Sequence, residues 1–453
     1  MNRTVRRMPV AAILPALLIA ACSGPHTLPT PRGIVILVVD TLRSDFVGAY
    51  GARWPATPQI DRLASEGVLF EHAFAQGSWT RPSVPSILTG LYPSEHHLVD
   101  FVSSQSKSTV QGAVLSDEAD TLAESMQAAG YRTALAGFQF QLSPRFHLNQ
   151  GFDAYASNLK GGAVAIQRHW LDWLDRDPKR PFFSYLHYLD LHWPYCPPGR
   201  IFGRFDPEPS EMDVCRDAKG LKRRLESGEL VPDEAGRRAL SARYAETLAA
   251  VDEQIGQLFD ELRRRGVWDE TLIIVTADHG QELGDHGGYD HGTSLYDELL
   301  HVPLVWKLPR SWNVPPGQRV AELVELRSID PTLREVVHRP LPPRARSLVP
   351  WLLGRASGGQ TPGFVAAESN GMFAVRDATH KLIVEPAKGT AALFDLRRDP
   401  EERVDVSSRE PDDLARMRGY MRSWRGGLVP LPLALAPLDD ETARGLKALG
   451  YIQ

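Results

Sequence analysis

The chain has 453 residues, long enough for one large or two modest domains, and its 43% hydrophobic and 24% charged content is that of an ordinary globular protein. A formal net charge of −5 is small for this size, so no polyanion-binding surface is implied and nucleic acid is not an expected partner. The basic runs Lys222-Arg223-Arg224 and Arg263-Arg264-Arg265 read as solvated helix faces.

At the N-terminus, Arg3, Arg6 and Arg7 precede an apolar run, 9–21, that is too short to span a bilayer. A basic start, an apolar centre and small residues at the end make a secretory signal. Ile19-Ala20-Ala21-Cys22 resembles a bacterial lipobox, in which the cysteine becomes the acylated first residue of the mature chain. The expectation is a signal peptide over 1–21 and export to the periplasm or the outer-membrane face. Cys22 would anchor the protein to the membrane, and 22–31 would form an extended Pro/Thr-rich tether. Cys196 and Cys215 remain after Cys22; in an oxidising compartment they close one loop or stay as two free thiols.

The first strand signal is 33–39, a β-branched run that ends abruptly at Asp40. Such runs without alternation suit strands buried on both faces of a parallel sheet. Helical patterns follow at 57–66, 122–129, 163–175 and 235–265. Between the first two lies SWTRPSVPSILTG, residues 78–90. Pro82 suits a first helical turn, Thr80 and Ser83 are plausible caps, and Gly90 closes the helix after Ile87 and Leu88. The other reading is a hydroxyl nucleophile at the positive end of that helix, facing an anionic substrate. A second strand, 182–186, leads to His187 and His192, and a third, 271–277, ends at Asp278-His279-Gly280.

Residues 194–232 read as a Pro-rich surface insertion carrying both cysteines. Past Pro340 the character changes: short strands at 374–376, 381–384 and 392–394 precede a helix at 412–425. The fold class is therefore α/β, a largely parallel central sheet flanked by helices over 32–340, with a small C-terminal α+β subdomain over 341–453.

In such sheets ligands bind beyond the carboxyl ends of the strands, where Asp40, Asp278 and His279 fall. Two carboxylates and an imidazole at one sheet edge suit a divalent cation. Carboxylate oxygens favour calcium, magnesium or manganese, and the histidine admits manganese or zinc.

Several segments, in order, resemble the sulfatase family of the alkaline phosphatase superfamily. They are VVDTLRSDFVGAYG from Val38, TPQIDRLASEGVLFEHAFAQ from Thr57, ILTGLYPSEHH from Ile87 and LAESMQAAGYRTA from Leu122. HWPY from His192, VTADHGQELGDHGGYDHGTSLYDELLHVPLV from Val275, LFDLRRDPEERVDVSS from Leu393 and LKALGYIQ from Leu446 continue the series. The resemblance implies an alkaline phosphatase/sulfatase-like fold, metal ligation by Asp40, Asp278 and His279, and contact of His192 and His291 with the substrate ester. Thr41 stands where many relatives carry a second aspartate.

Thr80 aligns with the family's nucleophile. Sulfatases proper need Cys or Ser there, followed by any residue, Pro, any residue and Arg, for oxidation to formylglycine. Here Thr80-Arg81-Pro82-Ser83-Val84 departs at both ends, so formylglycine is not expected. The family's Gly-Lys-Trp-His segment falls at Gly137-Phe138-Gln139-Phe140, which lacks its lysine and its histidine. A threonine hydroxyl suits attack on phosphorus, as in other members of the superfamily.

The expected function is a hydrolase of an anionic ester, phosphate mono- or diester before sulfate ester, with one divalent cation (Ca, Mn or Zn). His192 or His291 would protonate the leaving oxygen. The substrate would be a small anionic ester or a glycan-linked one. The alternatives are a phosphotransferase moving a head group onto an envelope glycan, and a non-catalytic anion-binding lipoprotein.

Among the neighbours, Arg81 pairs with the substrate anion or points to solvent, and His96 and His97 read as structural. Glu282, Asp285 and His286 serve the metal loop's own turns or support the ligands. Asp330 reads as a helix cap, and Arg376 and Lys381 either face the cleft or, as the simpler reading, belong to a solvated strand face.

Overall fold

A computed structural model describes residues 28–437 apart from 100–110, 208–211, 213, 343 and 357–362. The expected signal segment, Cys22 and LKALGYIQ lie outside the described residues.

The strands in chain order are β1 (Gly33–Val39), β2 (Val68–Phe74), β3 (Gln111–Val114), β4 (Arg132–Gly137), β5 (Ala154–Ala156), β6 (Phe182–Tyr188) and β7 (Thr271–Thr276). They continue as β8 (His301–Lys307), β9 (Gln318–Glu325), β10 (Val365–Ser369), β11 (Met372–Arg376), β12 (His380–Glu385), β13 (Thr390–Asp395) and β14 (Ala434–Pro437). An eight-stranded sheet in the order β5-β4-β6-β1-β7-β8-β2-β9 forms the centre, and within it β8 alone runs against the other strands. All of β1, β6 and β7 is buried, as their unbroken apolar runs require in a sheet covered on both faces. Helices Pro58–Glu66, Leu122–Ala128, Gly162–Asp175 and Glu234–Arg264 lie within a residue of the expected bounds. Among the described residues no helix is long and apolar enough to cross a membrane.

Strand order positions the site. β1 pairs in parallel with both β6 and β7, Val38 opposite His187 on one side and Thr276 on the other. Three neighbouring strands thus deliver Asp40, His187 and Asp278 to one edge. Gly280 then lets the chain turn tightly: a Cβ there would sit 1.9 Å from the Glu298 carbonyl oxygen. The flanking bonds from Gly280 N–H to Leu299 O (2.8 Å) and from Gln281 N–H to Glu298 O (3.0 Å) hold that turn.

The helix Thr80–Thr89 is buried over its full length. Neither Thr80 nor Ser83 caps it. Trp79 takes the cap position without a side-chain capping bond, Thr80 is the first helical residue, and the Ser83 hydroxyl donates to Gly77 O at 2.8 Å. Gly90 closes the helix at φ 70°, in the left-handed region that glycine enters without strain. Asp330 is also no cap; it is the second residue of the helix Ile329–Val336, and its Oδ1 accepts from Arg334 Nε at 2.8 Å one turn on.

The segment after Pro194 is less of a surface feature than its composition suggests. Cys196 and Cys215 form a disulfide with a Cα–Cα distance of 5.2 Å. Ile201, Met212, Val214, Leu221 and Leu225 join the main core, the last two from the helix Ala218–Glu226.

In the C-terminal unit, β10 to β13 make an antiparallel sheet in sequence order. Side chains alternate between two apolar layers. Ala367, Ala374 and Ile383 face Phe74, Leu295 and Leu300 of the main body, whereas Ala366, Val375 and Leu382 meet Met417 and Trp424 of the helix Pro411–Gly426. β14 returns to pair with β3. Arg376 and Lys381 are not solvated. Lys381 is buried, its Nζ 2.7 Å from both Asp297 and Glu402, and Arg376 Nε reaches Asp297 at 3.1 Å. Paired charges explain why a lysine survives on the inward face, which its residue type alone argued against. Removing one partner strands the others, so Lys381→Ala should cost about 3–5 kcal/mol in urea unfolding. A loss below about 1 kcal/mol would mean that the carboxylates simply protonate.

Candidate functional site

The sheet edge gathers Asp40, His187, Asp278 and His279, all fully buried. One ligand atom from each of Asp40, His187 and Asp278 lies within 4.8 Å of the others. His279 Nε2 is 3.6 Å from both Asp40 Oδ1 and Asp278 Oδ2. Its Nδ1 donates to Gly280 O at 2.8 Å; a carbonyl can only accept, so Nε2 turns a lone pair toward two carboxylates. Asp40 Oδ1 and both Asp278 oxygens have no hydrogen-bond donor in good geometry. Buried carboxylates without donors, facing imidazole lone pairs, are the donor set of a divalent cation site.

The electrostatics agree. Burial and the Asp40 charge push the Asp278 carboxyl up to about 7. Burial also works against the Asp40 carboxylate, but the His187 hydrogen bond and the charges of His279, His187 and His192 hold it well below the usual range. Burial drives His279 down to about 4. A cation among these groups would relieve the repulsion that forces one carboxylate to keep its proton.

Thr80 stands in the same cluster. Its Oγ1 is 3.5 Å from Asp40 Oδ2 and 3.4 Å from His279 Nε2. As the first residue of a ten-residue helix it sits at the helix's positive end. Gln139 Nε2 donates to Asp40 Oδ2 at 2.9 Å and to Thr80 Oγ1 at 3.3 Å. Thr41 has φ 65°, unusual for a β-branched residue, and its hydroxyl donates back to Asp40 O at 2.6 Å. Tyr244 steadies that turn by donating to Thr41 O at 2.6 Å.

His192 and His291 form the next layer. Their ring centroids are 5.0 Å apart, and His291 lies 4.6 Å from His279. His291 Nδ1 is 3.0 Å from Gln281 Oε1 and 3.1 Å from Asp290 Oδ1, two acceptors that place its proton there. His192 Nδ1 donates to Trp193 O at 3.1 Å, while its buried Nε2 has no hydrogen-bond partner. Burial, then the His291 charge, lowers the His192 pKa.

The other candidates lie elsewhere. Arg81 stacks 4.7 Å over Phe146 and donates to Ala113 O at 2.5 Å. Asp285 pairs with Arg43 at 2.7 Å, and Glu282 accepts from Thr293 and Ser294 at 2.7 and 2.8 Å. His286 bonds Glu298 and Glu402 O and stacks on Tyr296 with centroids 3.6 Å apart. These three serve the loop's own packing. His96 is structural, with Nε2 3.1 Å from Ser86 Oγ and 3.2 Å from Pro82 O. Sequence reasoning passed over His187 and Gln139 as site residues. Each does follow a strand signal or a family-aligned segment, but nothing local separates a histidine or glutamine of the site from one of the core.

A family model described as Sulfatase matches residues 32–337. Over 448 residues the chain is 24% identical to an arylsulfatase of Clostridium perfringens, covering 83% of this chain and 90% of that one. A multifunctional alkaline phosphatase superfamily protein of Trinickia caryophylli is 26% identical over 87% of this chain and 95% of its own. The solved phosphonate monoester hydrolase from Silicibacter pomeroyi superposes with a TM-score of 0.72 at 22% identity, covering 88% of this chain and 96% of that one. At that identity the likeness speaks for the fold.

Proposed function

The chain belongs to the sulfatase family of ester hydrolases, and we propose that it is a metal-dependent hydrolase in which the Thr80 hydroxyl attacks an anionic ester, phosphate mono- or diester before sulfate ester. The observation that carries this reading is the hydroxyl at the start of a buried helix, within 3.5 Å of Asp40 and 3.4 Å of His279. A relative described as a multifunctional alkaline phosphatase superfamily protein and a fold neighbour described as a phosphonate monoester hydrolase support phosphorus chemistry on this scaffold.

A single divalent cation held by Asp40, Asp278 and His279 would polarise the ester and neutralise its negative charge. The protein's own groups do the rest. Asp40 Oδ2 accepts from the Thr80 hydroxyl, and Gln139 Nε2 donates to the same Oγ1, so the remaining lone pair is held in one direction. The helix start favours negative charge as it develops at that atom. Asp290 and Gln281 keep the His291 ring proton on Nδ1 and fix the ring's orientation. His192, with Nδ1 committed to Trp193 O, turns Nε2 to the leaving oxygen; an incoming anion opposes the burial that lowers its pKa and lets it carry the proton delivered there. Thr80 cannot form the sulfatase aldehyde, which is why phosphate esters rank first.

Turnover of matched aryl phosphate, phosphodiester and sulfate esters, each with Ca, Mn or Zn, tests this order. Phosphorus esters should turn over faster than the sulfate. A sulfate ester cleaved faster than both would reverse the assignment.

We also propose that the protein is exported and anchored through acylated Cys22, on the lipobox-like segment ending there. Cys22→Ser should move the protein from the membrane to the soluble fraction on cell fractionation. Wild-type protein that is already soluble after export would refute the anchor.

A further inference from the structure

Resting on the reading of Asp40 and Asp278 as metal ligands, we infer that His187 is a further ligand and that the site takes a first-row transition ion, manganese or zinc, in preference to calcium or magnesium. His187 reaches the cluster because β6 lies beside β1 with His187 opposite Val38, two residues before Asp40. Its Nε2 is 3.0 Å from Asp40 Oδ2, and one of its ring nitrogens lies within 4.8 Å of an Asp278 oxygen.

Asp40 Oδ2 already accepts from Gln139 Nε2 at 2.9 Å, so that oxygen keeps a donor when His187 turns its Nε2 to an ion. Of the two carboxylates, the oxygens without a donor are Asp40 Oδ1 and both Asp278 oxygens, and all three are acceptors. Tyr185 Oη lies 3.3 Å from His187 Nδ1 and can accept a proton held there, which frees the Nε2 lone pair for an ion.

Thr41, next in the chain to Asp40, has no carboxylate to offer and commits its hydroxyl to the Asp40 carbonyl. The donors at hand are therefore two carboxylates and two imidazoles, from His187 and His279. Calcium takes six to eight oxygen ligands and magnesium about six, mostly oxygen, whereas imidazole suits manganese and zinc. The nitrogen from β6 compensates for the carboxylate missing at Thr41 and changes which ion fits.

The test uses the full-length protein stripped with a chelator and dialysed against Mn, Zn or Ca alone, with bound metal counted by mass spectrometry. Manganese and zinc should bind at least about 10-fold tighter than calcium, and His187→Gln should weaken manganese binding about 10- to 100-fold. Pulsed electron paramagnetic resonance of the manganese-loaded wild type should show nitrogen couplings from two imidazoles, a result that does not depend on any variant folding.

Couplings from a single imidazole, or a His187→Gln protein with wild-type affinity, would overturn the assignment of His187. If Asp278→Ala still loses the ion in that case, the wider metal reading stands. If Asp278→Ala keeps the ion, the metal reading falls and this inference falls with it.

Discussion

Replacing Thr80 with alanine will abolish ester turnover while the protein still folds. The residue is fully buried and begins a helix whose cap position belongs to Trp79, so alanine keeps the helix and removes only a hydroxyl and a methyl group. The cost to stability should stay at about 1–2 kcal/mol, the usual range for a modest buried truncation. The cost to catalysis should be several kcal/mol, on the order of a thousandfold or more, because no other group can attack in its place. Thr80→Ser should keep part of the activity, since the chemistry needs the hydroxyl and not the methyl group. Thr80→Cys should not become a sulfatase through oxidation, because Val84 still breaks the pattern that oxidation requires. Peptide mass spectrometry should find Thr80 unmodified at rest and phosphorylated when a slow phosphate ester is trapped. An active Thr80→Ala enzyme would reduce the threonine to a packing residue of its helix.

Asp278→Ala will remove metal and activity together, with a signature in stability that a merely damaged fold would not produce. In the metal-free protein burial, and next the charge of Asp40, push the Asp278 carboxyl up to about 7, and the two carboxylates repel each other in a buried site. Deleting one carboxylate relieves that repulsion, so the metal-free variant should melt no lower than the metal-free wild type. Adding cation should stabilise the wild type by about 2.7 kcal/mol at a hundred times the dissociation constant and leave the variant's melting temperature where it was. Equal metal content in variant and wild type would refute the site. A variant already destabilised without metal would instead assign Asp278 to the fold.

The legible part of this protein was local. The run 33–39 is apolar at every position, which no half-exposed strand tolerates, and its abrupt end at Asp40 marks a charged group at a sheet edge. The same pattern around 271–277 marks Asp278 and His279. Helix bounds followed from apolar periodicity, and the order of the family-like segments pointed to Thr80, His192 and His291. All of them meet at one place.

The misread positions share a different property. Lys381 looked exposed because a lysine usually is, yet Asp297 at a helix start and Glu402 in a following loop neutralise it. Arg81 follows Thr80 in the chain, and the helix carries its guanidinium to Phe146 and Ala113.

By itself the sequence determined the three central strands β1, β6 and β7 and four of the helices, that the sheet is covered on both faces, and which charged residues end β1 and β7. These follow from burial patterns within a few residues of one another. Only the tertiary structure decided that β1 lies between β6 and β7, which brings His187 to Asp40 across 147 residues of chain and Gln139 to Thr80 across 59. Strand neighbours are chosen by packing over the whole sheet, and a polar side chain's role depends on which partners arrive there, so neither is written in the pattern around the residue itself.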